Sequence, residues 1–186
     1  MDFAINRGGV YKDLIIHSDR IISSIGYRGI CSIEMDDSGS PYETAHFQTP
    51  AMGISIAHDE SYLYFTTYNV AKTFLHTLAY NNGELTEISR FEFEGIPYTD
   101  MCVQNNLIFI FINDTLKIVD VSDPFLRSCF SFGHTPRERH FVVENNLLYA
   151  TEYMTTFKST RKKKDNYLAF TWYPEEIRRY IYTTRV

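Results

Sequence analysis

The stretch Met101-Cys102-Val103-Gln104-Asn105-Asn106-Leu107-Ile108-Phe109 decides how this chain reads: an apolar run, a polar pair suited to a tight turn, and a second apolar run. The same order occurs at Leu14-Ile15-Ile16-His17-Ser18-Asp19-Arg20-Ile21-Ile22 and at Ile54-Ser55-Ile56-Ala57-His58-Asp59-Glu60-Ser61-Tyr62-Leu63-Tyr64-Phe65. It returns at Phe141-Val142-Val143-Glu144-Asn145-Asn146-Leu147-Leu148-Tyr149. Asn-Asn and Ser-Asp are hairpin-turn pairs placed where a helix would have to continue, so each copy predicts two antiparallel strands. The anchors Ile21, Leu63, Leu107 and Leu147 stand 42, 44 and 40 residues apart.

Each copy then adds two more strands. In the first, Gly29 to Met35 leads through a Ser-Gly-Ser-Pro turn to Tyr42–Phe47; in the second, Thr73–Leu78 turns at Asn81-Asn82-Gly83 into Leu85–Phe91. The third runs Thr115–Val121, turns at Ser122-Asp123-Pro124, and resumes over Leu126–Phe132. First strands are almost wholly apolar, as a strand covered on both faces should be, and fourth strands mix charges freely. That gradient, with a period in the range of about 40–50 residues, predicts an all-β fold: a β-propeller of four four-stranded antiparallel blades. Their expected limits are roughly 8–50, 51–97, 98–138 and 139–186, within one domain spanning 1–186. The last blade carries a basic insertion loop at 154–165, then Tyr167–Tyr173 as its third strand. Its end, 174–186, reads either as a strand over 178–184 or as a short helix from Pro174.

The third copy carries a family resemblance. Leu116-Lys117-Ile118-Val119-Asp120-Val121-Ser122-Asp123-Pro124 resembles the LVIVD repeat of β-propellers, in which a strand ends in an Asp-Val-Ser turn followed by Pro. The resemblance is good over about 100–132 and fainter over 53–93. It implies blade structure and is nearly silent on activity. Proteins with such repeats usually have more blades, which leaves three routes to a finished structure. The four blades close alone, two chains form a larger ring as a homodimer, or a partner covers the open edges.

Composition excludes several classes. Of 186 residues, 44% are hydrophobic, enough for a core without disulfides or metal. Net charge of −5 argues against nucleic acid as a dedicated partner. No apolar run approaches the roughly 18 residues of a membrane helix, and the N-terminus lacks a signal-peptide pattern. Cys31, Cys102 and Cys129 show no CxxC spacing, so reduced thiols in a cytoplasmic protein are expected, with no metal and no cofactor.

Three residue sets are candidates for function. His17, His58, Gln104 and Glu144 hold equivalent positions at the exits of the first strands, on one axial face. Such a ring could ligate a metal or a polar ligand, and it could equally be ordinary solvated turn entry. At the opposite mouth lie Asp13, Thr99 with Asp100, and Arg139 with His140. These could support acid–base work, or simply cap strand starts. The basic loop, with Phe157, Lys158, Arg161, Lys162, Lys163 and Lys164, is the densest charge and suits an acidic protein face. There is no phosphate loop, nucleophile elbow or triad order. The expected function is therefore a non-catalytic propeller that binds another protein through its loops, probed best in the basic run. The alternative is a ligand-binding or hydrolytic propeller working at the axial mouth.

Overall fold

The computed structural model describes residues 12–17, 20–81, 83–113, 115–125, 128–132, 138–144, 147–152 and 167–171. Side chains are described as far as residue 131, apart from Tyr98 and Thr99. These residues form four antiparallel sheets. The first contains β1 (Asp13–His17), β2 (Arg20–Ser24), β3 (Ile30–Met35) and β4 (Pro41–Phe47) in chain order. The second contains β5 (Met52–His58), β6 (Leu63–Asn69), β7 (Lys72–Asn81) and β8 (Glu84–Glu94). The third contains β9 (Pro97–Gln104), β10 (Leu107–Ile112), β11 (Thr115–Asp120) and β12 (Ser128–Phe132). In the fourth, β13 (Glu138–Glu144), β14 (Leu147–Glu152) and β15 (Tyr167–Thr171) make three strands. Where four four-stranded blades were expected, the described residues form three four-stranded sheets and one of three strands. The strand or helix expected at 174–186 and the loop 154–165 lie outside the described residues.

Turn chemistry sets the register. Asn105 and Asn106 both have positive φ, 53° and 59°, so the β9–β10 turn has the primed geometry that matches strand twist. The Val121 N–H closes beneath it on the Asn106 carbonyl at 2.8 Å. The Asp120-Val121-Ser122 turn has an equally local cause. The Asp120 carboxylate accepts both the Ser122 N–H (2.9 Å) and the Ser122 hydroxyl (2.7 Å), while Val121 is buried. Asp59 does the same between β5 and β6, accepting the N–H groups of Ser61 and Tyr62 and the Tyr64 hydroxyl. Between β2 and β3 a 3-10 turn, Gly26–Arg28, ends at Gly29. Gly29 has φ +87°, and a Cβ there would lie 2.0 Å from the Phe47 carbonyl oxygen, so only glycine fits.

The chain divides into two compact units, residues 1–97 and 98–186. In the first, two sheets pack face to face. Ile22, Ile30 and Ala45 from one meet Ile56, Leu63, Phe65, Leu78 and Leu85 from the other, with Ile15, Phe47 and Tyr80 at the margin. Each large side chain so buried contributes about 1.5–3 kcal/mol. Within the second unit, every residue of β10 is buried, so this strand is covered on both faces. The expectation of two-faced cover fails at β1. Ile15 faces the second sheet, whereas Leu14 and Ile16, pointing the other way, are 63% and 68% exposed. The alternation follows from the strand period of two, and the described residues of the first unit form only two sheets, so none of them covers that face.

Gly53 sits beneath the Phe65 ring of its own sheet and the Ser24 hydroxyl of the neighbouring one. A Cβ there would lie 2.7 Å from the Phe65 ring and 3.0 Å from the Ser24 hydroxyl. Gly53→Ala should therefore destabilise the protein by about 1–3 kcal/mol through overpacking, read as a lower urea midpoint.

Candidate functional site

At the mouth side, Asp13 opens β1 and spans two sheets. One carboxylate oxygen accepts the N–H of Leu14 at 2.9 Å, and the other accepts the N–H of Ile56 on β5, also at 2.9 Å. The Ile56 amide is free for this because β5 breaks register with β6 between Gly53 and Ile56. There Ser55 turns instead to Thr66, by N–H to hydroxyl at 3.1 Å and hydroxyl to hydroxyl at 2.7 Å. Asp13 is thus a bracket between the innermost strands of adjacent sheets. Asp100, four residues before Gln104 as Asp13 is before His17, lies within β9 and is partly buried. Thr99, Arg139 and His140 lie on β9 and β13, and their side chains fall outside the described ones.

At the opposite strand ends, His17 and His58 meet. Their Nδ1 atoms are 3.2 Å apart and the rings stand edge to face, with centroids at 5.0 Å and 75° between planes. His58 Nδ1 also lies 3.2 Å from the Asp59 carbonyl oxygen. Burial, and next the His58 ring beside it, push the His17 pKa below its ordinary value. Of the other two residues expected on this face, Gln104 ends β9 with a buried side-chain oxygen, and the Glu144 side chain lies outside the described ones.

Sequence reading passed over a buried histidine. His76, on β7, donates from Nδ1 to the Glu87 carboxylate (2.7 Å) and accepts at Nε2 from the Thr67 hydroxyl (2.9 Å). Phe47, Phe65 and Phe74 surround the ring. Burial, outweighing Glu87, pushes its pKa down, which fits the neutral tautomer those two bonds require. The order Thr-His-Glu imitates a catalytic relay, but Thr67 has no exposed surface for a substrate to reach. No alternation on β7 marks it, because Leu75 to Ala79 are all buried whatever their polarity.

A surface feature also escaped the sequence. Tyr27, Arg28, Gln48, Thr49 and Pro50 line an open groove of about 430 Å³ where the 3-10 turn meets the β4–β5 connection. Tyr27 stands out from it, 77% exposed. Arg28 is fixed by Glu43 at 3.0 Å, and Glu43 also receives His46 at 2.8 Å. Burial would raise the Glu43 carboxyl, but Arg28 and His46 beside it hold it below the ordinary carboxylate value. Phe157, Lys158, Arg161, Lys162, Lys163 and Lys164 lie outside the described residues. No disulfide joins the cysteines among the described residues, and burial pushes the Cys31 thiol up to about 12 and Cys129 up to about 11. Among the described residues no three His, Cys, Asp or Glu side chains cluster as a metal cage, and no helix is long and apolar enough to cross a membrane.

Solved structures show what this arrangement is like. The WD40 β-propeller domain of Doa1 matches with a TM-score of 0.57 at 12% identity, over 78% of this chain and 49% of that one. Glutaminyl cyclase of Myxococcus xanthus matches with 0.53 at 14% identity, over 77% and 61%. Hsv2 of Kluyveromyces lactis matches with 0.51 at 15% identity, over 77% and 42%. The fold is of the β-propeller type. The chain spans between about two fifths and three fifths of these propeller chains. No family model and no curated protein matches the sequence.

Two outcomes are expected. Asp13→Ala should cost about 1.5–3 kcal/mol in urea unfolding, because two amides lose a charged acceptor, and Asp13→Asn should cost less. A pure ligand-binding role would leave stability unchanged. Because folding lowers the His76 pKa, the unfolded chain binds a proton first as pH falls past 6.5. Stability should therefore drop between about pH 7.5 and 5.5, and His76→Gln should flatten that slope, leaving a smaller part from His17.

Proposed function

We propose that this chain is a non-catalytic propeller module that binds another protein through its loops. The observation that carries the reading is the groove at Tyr27. An exposed tyrosine next to an arginine held in place by Glu43 is the residue chemistry that dominates protein–protein contacts, and its support is already rigid. A proline and two polar residues complete a surface that can exclude water around the ring. The basic run at Lys158, Arg161, Lys162, Lys163 and Lys164 adds a second contact, suited to an acidic partner face.

The repeats are of the LVIVD kind, supported by the Asp120–Ser122 turn, whose hydrogen bonds give that motif a structural reason. Four of them close a ring alone, the homodimeric ring being the other arrangement. Three cysteines without a disulfide suit the reducing cytoplasm. A ligand-binding or hydrolytic site at the axial mouth is the second reading, favoured by one enzyme, glutaminyl cyclase, sharing the fold. A thermal shift of the protein with a small molecule from a metabolite panel, abolished by Asp100→Ala, would establish it.

Two variants test the main reading: Tyr27→Ala, and Arg161→Glu with Lys162→Glu, Lys163→Glu and Lys164→Glu. Recovery of a co-purifying protein should fall at least about tenfold in each, the loss expected for removing a contact hot spot. Unchanged recovery in both would overturn the proposal.

A further inference from the structure

We infer that His17, His58 and the Asp59 carbonyl form a binding site for a borderline divalent transition-metal ion, with Zn²⁺ as its simplest occupant. The sequence places His17 and His58 at equivalent repeat positions, in a ring with Gln104 and Glu144 that could ligate a metal, although no metal was expected. The fold supplies what the spacing lacks, by bringing the ends of β1 and β5 side by side.

The geometry is that of a shared ion. Zinc–nitrogen bonds of about 2.0–2.1 Å at a tetrahedral angle place two ligand nitrogens about 3.3–3.4 Å apart. His17 and His58 Nδ1 are 3.2 Å apart, and the Asp59 oxygen is 3.2 Å from His58 Nδ1. Without an ion, two facing Nδ1 atoms can be satisfied only if one carries hydrogen and the other does not. With an ion, both rings take the Nε2–H tautomer and direct Nδ1 lone pairs inward, while water fills the remaining position. Imidazole nitrogen selects zinc, copper and nickel over magnesium or calcium.

The site is held by structure on both sides. His17 ends the strand that Asp13 fastens to β5, and His58 ends β5 itself. Asp59 is fixed by its carboxylate, which caps the turn through Ser61, Tyr62 and Tyr64, so its carbonyl is held in place while that carboxylate is spent elsewhere. His58 is exposed, so an ion can reach the site from solvent. A bound ion would clip the innermost strands of two adjacent sheets at the end opposite Asp13, and its water position would stay exchangeable.

The test is calorimetric titration of the untagged full chain with zinc chloride, paired with thermal unfolding. One ion per chain should bind and raise the unfolding midpoint. Affinity should fall at least about tenfold in His17→Ala and in His58→Ala, since either leaves a single imidazole, and stay unchanged in His46→Ala. Loss of the thermal shift in His17→Ala and His58→Ala, both of which need only retain native circular dichroism, would support the site. Zinc binding that survives both substitutions, or no binding by the wild-type chain, would overturn it.

Discussion

A four-stranded sheet of this chain cannot bury its apolar face by itself, and everything else in the first unit follows from how a second sheet is brought against it. Ile22, Ile30 and Ala45 meet Ile56, Leu63 and Phe65 beside Gly53, which leaves room for the Phe65 ring and the Ser24 hydroxyl. Burial alone is non-directional. Direction comes from Asp13, whose carboxylate reaches across to the Ile56 amide that the β5 irregularity releases. One polar bracket at one end of the innermost strands and the facing histidines at the other define how β1 and β5 sit together.

Most of the strand framework was legible because its causes are local. The Asn105-Asn106 pair calls for positive φ and has it; Asp120 and Ser122 form a turn through bonds made within three residues. Strand limits expected from alternation differ from those found by a few residues, as at β7 and β8, which run on to Asn81 and Glu94, and at β9, which begins at Pro97. What alternation could not reveal is how many neighbours a sheet has. Leu14-Ile15-Ile16 reads as a strand covered twice, yet only Ile15 is covered within its unit, because cover is a property of packing and not of the strand.

The candidate site was legible to the extent that repeat position predicts place. His17 and His58 were expected on one axial face and are in contact. Asp13, expected as a residue of the axial mouth, opens β1 and serves as a structural acceptor bridging two sheets. The groove at Tyr27 and the Thr67–His76–Glu87 chain were not legible. Both depend on residues distant in sequence: Arg28 on Glu43, His76 on a diagonal cross-strand partner on each side. Nothing in a single strand's pattern marks a residue whose role is assigned by its neighbours' neighbours.

The interaction reading carries the account, and stoichiometry is its most direct test. Native mass spectrometry of the chain captured gently from its own cells should show a co-purifying protein at fixed ratio, with one copy of this chain if four repeats close alone and two if the ring is shared. A bare chain carrying a small molecule at fixed ratio would contradict the account and move the function to Asp100, Arg139 and His140 at the axial mouth.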